Sequence, residues 1–152
     1  MRTRGFTLIE MIIVVVIIAV LAVVAVPMME TSIKREKEIE LRRNLRTLRS
    51  ALDEYKKFVE DNKVKKDKDT YNYPEELEEL VEGLEYKDKK GDEKLMKFLR
   101  LIPIDPMTNS YEWGMRSYQD DRDDYSWGGE NVWDVFTKSE RRAMDGTYYK
   151  EW

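Results

Sequence analysis

Glu10 is the first residue that asks for a chemical explanation. It directly precedes nineteen consecutive residues, Met11 to Met29, that carry no charged or polar side chain. A carboxylate at the centre of a membrane-spanning helix costs about 2.5–3.5 kcal/mol, and less near the interface. Such a charge calls for a partner. A cut after Gly5 would supply one, because the new α-amino group of Phe6 would be a cation near the membrane. Glu10 lies four residues from it, about one helical turn away. A neighbouring copy offers the same amine, and pairing between copies would cancel both charge penalties and set the axial stagger of an assembly.

The other candidate groups are acidic or aromatic. Asp120, Asp121, Asp123 and Asp124 form one cluster, and Asp145 precedes Gly146 near the end of the chain. Carboxylates of this kind suit calcium, which takes 6–8 oxygen ligands, but turn chemistry and solvated loops use them more often. All four Trp, at 113, 127, 133 and 152, lie in the last forty residues. They could stack a sugar-like ligand, although packing a small sheet against a helix is the stronger reading.

The residues that are missing narrow the chemistry further. There is no His and no Cys. Disulfides, thiolate nucleophiles, haem attachment and the common zinc and copper sites are thereby excluded, together with the usual general base near neutral pH. No nucleophile motif or Gly-rich phosphate loop occurs, so no enzymatic activity is expected. With 27 basic against 31 acidic residues the net charge is −4, and no nucleic-acid partner is expected.

The elements that must position Glu10 follow from where the apolar residues fall. Of 152 residues, 38% are charged and 41% hydrophobic, and the two fractions are segregated along the chain. A helix of twenty residues rises about 30 Å, enough to cross a bilayer's hydrocarbon core. A cleaved secretory signal fits poorly, since its apolar region runs to roughly 7–15 residues and ends in a small-x-small site. A plain anchor accounts for the hydrophobicity and leaves Glu10 unexplained. Lys34, Arg35, Lys37, Arg42, Arg43 and Arg46 outnumber Arg2 and Arg4 around the apolar stretch. Counted alone, that asymmetry would put the large domain on the cytoplasmic side, but long domains translocate largely regardless of such charges.

Beyond the apolar stretch the helix should continue. Leu41, Leu45, Leu48, Leu52, Tyr55 and Val59 recur at intervals of 4, 3, 4, 3 and 4, one stripe of an amphipathic helix. Pro27 falls inside this helix, where it removes one backbone hydrogen bond and favours a kink. Residues 61–70 read as a polar loop. Pro74 opens a short helix whose apolar face is Leu77, Leu80, Val81 and Leu84, and residues 87–92 form a charged break. Leu95, Met96, Phe98, Leu99 and Leu101 suggest a third short helix, ended by Pro103 and Pro106. Tyr111, Trp113 and Met115 alternate with Glu112, Gly114 and Arg116 as a half-buried strand. A second strand ending at Trp127, a Gly128-Gly129 turn and a returning strand over 132–136 complete the expected sheet.

The sequence Gly5-Phe6-Thr7-Leu8-Ile9-Glu10, the short basic leader, the long apolar helix and Pro27 together resemble the type IV pilin-like superfamily. This includes type IV pilins and the pseudopilins of type II secretion. The resemblance implies an α+β fold in which a long N-terminal helix, half transmembrane and half amphipathic, packs on a small C-terminal antiparallel sheet. It divides the chain into a prepilin leader (1–5), a transmembrane and assembly helix (6–29) and a periplasmic globular domain (30–152). It further implies cleavage between Gly5 and Phe6 by a prepilin peptidase, N-methylation of Phe6, and pairing of Glu10 with the amino terminus of Phe6 on an adjacent subunit.

Two further stretches are similar to the major pseudopilin. These are Tyr73-Pro74-Glu-Glu-Leu77-Glu-Glu-Leu80, and Ile102-Pro103-Ile104-Asp105-Pro106 followed by Tyr111. The implied function is a structural subunit of a periplasmic pseudopilus that drives type II protein secretion. Its partners would be further copies of itself, minor pseudopilins, the prepilin peptidase, an inner-membrane assembly platform and, before assembly, membrane lipid. The implied location is the inner membrane, single-pass, with the C-terminal domain in the periplasm. The alternative is a type IV pilin for adhesion, motility or DNA uptake. Major pseudopilins commonly hold calcium near an Asp-Gly after the sheet, which makes Asp145 the candidate ligand. Arg141 and Arg142, however, enter where the family has small and acidic residues.

Overall fold

A computed structural model describes residues 5–121 and 125–152, and the side chains of all of these except 24–28. The chain divides between Glu36 and Lys37 into two units, both traversed by one helix, α1 (Leu8–Asn62). Both ends of α1 have local causes. Thr7 precedes it and its Oγ1 accepts the Glu10 N–H at 3.3 Å, while its carbonyl accepts the Met11 N–H at 3.2 Å. That is N-cap geometry on a Thr-x-x-Glu sequence. At the other end Lys63 takes a left-handed φ of 52°. The Lys63 N–H reaches the Glu60 carbonyl at 3.3 Å and the Val64 N–H reaches Val59 at 3.1 Å. These two bonds form a Schellman motif, with Lys where Gly is usual.

The stripe expected along α1 is the spine of the second unit. Leu41, Leu45, Leu48, Leu52, Tyr55 and Val59 are all buried, none more than 2% exposed. Around them pack Leu77, Leu80, Met107, Trp113, Val135 and Tyr149. Burying side chains of this size stabilises by about 1.5–3 kcal/mol each, which fixes the register of everything laid on the helix.

Four short strands form two antiparallel pairs. β1 (Leu84–Lys87) pairs with β2 (Glu93–Met96), from Leu84 opposite Met96 to Lys87 opposite Glu93. β3 (Gly114–Arg116) pairs with β4 (Asp134–Phe136), from Gly114 opposite Phe136 to Arg116 opposite Asp134. The architecture is therefore α+β, a long N-terminal helix followed by small antiparallel sheets. At Gly114 an added Cβ would stand 2.4 Å from the Phe136 ring, so any larger residue would force that ring to move.

Three expected elements differ. The helix opened by Pro74 shrinks to α2 (Glu79–Glu82). Gly83 ends it at φ 99°, where a Cβ would lie 2.7 Å from the Met96 carbonyl oxygen. The third helix is absent, because residues 93–96 are strand β2. The Leu80 carbonyl accepts both the Phe98 N–H at 3.0 Å and the Leu99 N–H at 2.8 Å, which holds that segment out of helical pairing. The hairpin at Gly128-Gly129 is also replaced. The partner of β4 is β3, and the connection between them is organised by side chains. Asp120 accepts the Ser117 N–H at 2.7 Å and the Gly128 N–H at 3.2 Å. Buried Asn131 donates to Gln119 and to the Asp69 carbonyl, and accepts from the Tyr118 N–H.

Candidate functional site

The N-terminal segment is shaped by what its residues lack. Gly5 has no atom within 4 Å of where a Cβ would be, so nothing in the fold demands glycine there. Phe6 is 77% exposed. From Leu8 to Val23 every Leu, Ile, Val and Met side chain is exposed, none below 46%. A helix apolar on all sides is stable only when lipid or other helices cover it. No helix of the described residues is long and apolar enough to cross a membrane. The side chains of residues 24–28 are not described, the sequence stays apolar to Met29, and Met29 is again exposed. Pro27 lies inside α1, within the stretch whose side chains are not described.

Glu10 is exposed in the first turn of α1, where the helix dipole favours an anion. Its carboxylate has no ion-pair partner among the described residues. Thr7 satisfies its backbone N–H, so the helix start is complete without the carboxylate, which stays available to a cation from outside the chain. In the uncut chain the Phe6 nitrogen is an amide; a cut after Gly5 would convert it into a cation.

The expected calcium position is built differently. Asp145 Oδ1 accepts the Thr147 hydroxyl at 2.6 Å and the Thr147 N–H at 3.0 Å, and Arg42 lies 3.6 Å from Oδ2. Those hydrogen bonds from Thr147, with the Arg42 charge, hold the carboxyl below its ordinary range. Among the described residues no three carboxylates converge on a metal position. Asp145 is thus engaged in its own turn and by a guanidinium, which does not fit a calcium centre. Asp120 is taken by backbone N–H groups, and Asp123 and Asp124 lie outside the described residues.

Contacts to α1 hold this tail. Glu38 Oε1 accepts the Met144 N–H and the Tyr149 hydroxyl, each at 2.8 Å. Burial and the bond to Glu38 push the Tyr149 phenol up to about 12. Arg42 stacks 3.8 Å over the Trp152 ring, and Arg141 donates to the Met107 carbonyl. Sequence reasoning missed this clasp, since Glu38 and Arg42 lie more than a hundred residues from their partners in the tail and read as an ordinary solvated helix face. The four Trp also divide. Trp113 is in the core, Trp127 and Trp152 pack against it, and Trp133 is 41% exposed.

Residues 1–26 match the prokaryotic N-terminal methylation motif. That motif is typical of type IV pilin-like proteins, and the long helix with small antiparallel sheets is consistent with their fold. The motif is also typical of prepilin-peptidase substrates in membranes. No curated protein and no solved structure matches the chain.

Proposed function

We propose that this protein is a structural, non-catalytic subunit of a periplasmic pseudopilus that drives type II protein secretion. Prepilin peptidase cuts it between Gly5 and Phe6, and Phe6 is then N-methylated. Before assembly the apolar half of α1 sits in the inner membrane. Leaving lipid for a fibre core keeps that half covered by neighbouring helices, so little apolar surface is exposed in the exchange. Glu10 pairs with the Phe6 amine of an adjacent copy and sets the stagger. The observation that carries this reading is the methylation motif over residues 1–26, continuous with a helix that is apolar on every described face up to Val23.

The pseudopilin choice rests on the Tyr73–Leu80 and Ile102–Pro106 stretches and on the lack of cysteine for a pilin-type C-terminal loop. Deleting the gene in the native host tests it. Loss of folded exoproteins from the medium, with surface fibres and motility intact, is the expected phenotype. Lost surface fibres with normal export would assign the chain to the type IV pilins instead.

A further inference from the structure

Arg42, Arg46 and Arg49 lie on one side of α1, where with Leu45, Asp53 and Trp152 they line a groove of about 530 Å³. Two of the guanidiniums are fixed. Arg42 is stacked on Trp152 and lies 3.6 Å from Asp145. Arg49 is forked onto Asp134 at 2.6 and 3.3 Å and donates to the Val135 carbonyl at 3.1 Å. Asp134 is also shared with Arg116 at 3.8 Å, so the cations here outnumber the carboxylates. Arg46, between the two fixed arginines, is exposed and has no ion-pair partner among the described residues.

The complementary surface is on the same chain. Residues 75–82 read Glu-Glu-Leu-Glu-Glu-Leu-Val-Glu, with Leu77 and Leu80 anchored in the core. Lys66 reaches Glu79 at 3.0 Å and Glu75 at 3.9 Å. Glu76, Glu78 and Glu82 are exposed, with no ion-pair partner among the described residues. The Tyr55 hydroxyl bonds Glu79 at 2.6 Å and so ties this acidic segment to the level of Tyr55. That level is nine residues beyond Arg46, about 14 Å along the helix.

We propose that the arginine groove seats the Glu75–Glu82 segment of a second copy of this chain, with Arg46 receiving Glu76 and Glu78. The bidentate geometry of a guanidinium suits a carboxylate, and Arg46, flanked by the two fixed arginines, presents it to the incoming segment. Asp53 places a like charge at one end of the groove and so sets the polarity of the incoming segment. Because the two surfaces differ and sit at different heights on α1, the contact is heterologous and propagates along a fibre. The inference deepens the subunit reading and rests on it.

The chain has no cysteine, so introduced pairs report cleanly. Ser50 also lines the groove; full chain bearing Ser50→Cys, in neutral detergent micelles, is mixed with full chain bearing Glu82→Cys and mildly oxidised. The mixed disulfide should dominate over like-with-like products. Arg46→Glu in the first chain should cut its yield at least tenfold, and Glu76→Arg with Glu78→Arg in the second should restore it. Yield indifferent to Arg46→Glu, or no recovery with the swapped pair, overturns the proposal. So does Arg46-dependent binding to phosphatidylglycerol vesicles with no cross-link, which would assign the groove to lipid headgroups. Fibres that form without the cross-link would remove this contact and leave the subunit reading standing. A charge-dependent cross-link in a chain that keeps Met1 and forms no fibre would do the reverse.

Discussion

Replacing Tyr55 by Phe removes one oxygen from the centre of the second unit. Tyr55 is fully buried and its hydroxyl donates to Glu79 Oε2 at 2.6 Å. The same oxygen accepts Lys66 Nζ at 3.0 Å, and Glu79 Oε1 accepts the Glu75 N–H at 2.7 Å. A hydrogen bond to a charged group is worth about 1.5–3 kcal/mol. Glu79 keeps two donors in the variant, so its charge is not stranded and the lower part of that range applies, about 1.5–2 kcal/mol. At roughly 4 °C per kcal/mol for a unit of this size, Tm should fall by about 6–8 °C.

The pH dependence supplies a second readout. Burial raises the Glu79 carboxyl, but the bonds from Tyr55 and Lys66, the Glu75 N–H and the Lys66 charge outweigh it and hold the group below its ordinary value of 4.5. A depressed carboxyl contributes stability that is present above its unfolded pKa and is lost as pH falls through the folded value. Acid unfolding of the full chain in detergent, followed by tryptophan fluorescence, should therefore begin at higher pH in Tyr55→Phe. Glu79→Gln should flatten the acid limb. A Tm within 1 °C of wild type and an unchanged acid limb would refute the reasoning, since the bond would then carry no net free energy.

Other consequences bear on processing, packing and the tail. Glu10→Ala should be cut after Gly5 and inserted normally yet give few or no fibres; wild-type fibre yield by electron microscopy would sink the pairing role assigned to Glu10. Gly5→Ala should leave the fold intact, since Gly5 touches nothing, while blocking cleavage; normal processing on a gel would count against peptidase recognition at that residue. Gly114→Ala should cost about 1–3 kcal/mol through the Phe136 clash, read by urea unfolding, and a neutral result would contradict the strand approach. Glu38→Ala removes two acceptor contacts to the tail and should speed amide exchange at Met144, whereas unchanged protection would show that Arg42 and Trp152 suffice.

What was legible in the sequence was local or periodic. The Leu41–Val59 stripe showed because every third or fourth residue must meet the same core, and the structure buries each one. The Gly5–Glu10 signature showed because its chemistry is confined to six adjacent residues. Strand β2 did not show, because Leu95, Met96, Phe98 and Leu99 fit a helical stripe as well as an extended segment. The Leu80 carbonyl, fifteen residues or more away, decides between them. The pairing of β3 with β4 depends on the Gly114–Phe136 fit and on side-chain bonds from Asp120 and Asn131, none of which has a periodic trace. The clasp of Glu38 and Arg42 on the C-terminal tail, and the arginine groove beside it, arise from residues that alone read as a solvated helix face.

The central claim is that this chain is processed and methylated at Phe6 and that the new amino terminus is the partner of Glu10. Intact mass and N-terminal sequencing of the protein taken from its host's membranes test it directly. A chain that begins at Phe6 and is heavier by one methyl group is the predicted result. A chain that retains Met1 would contradict it, and would leave an ordinary anchored protein with an unpaired carboxylate at the edge of its apolar helix.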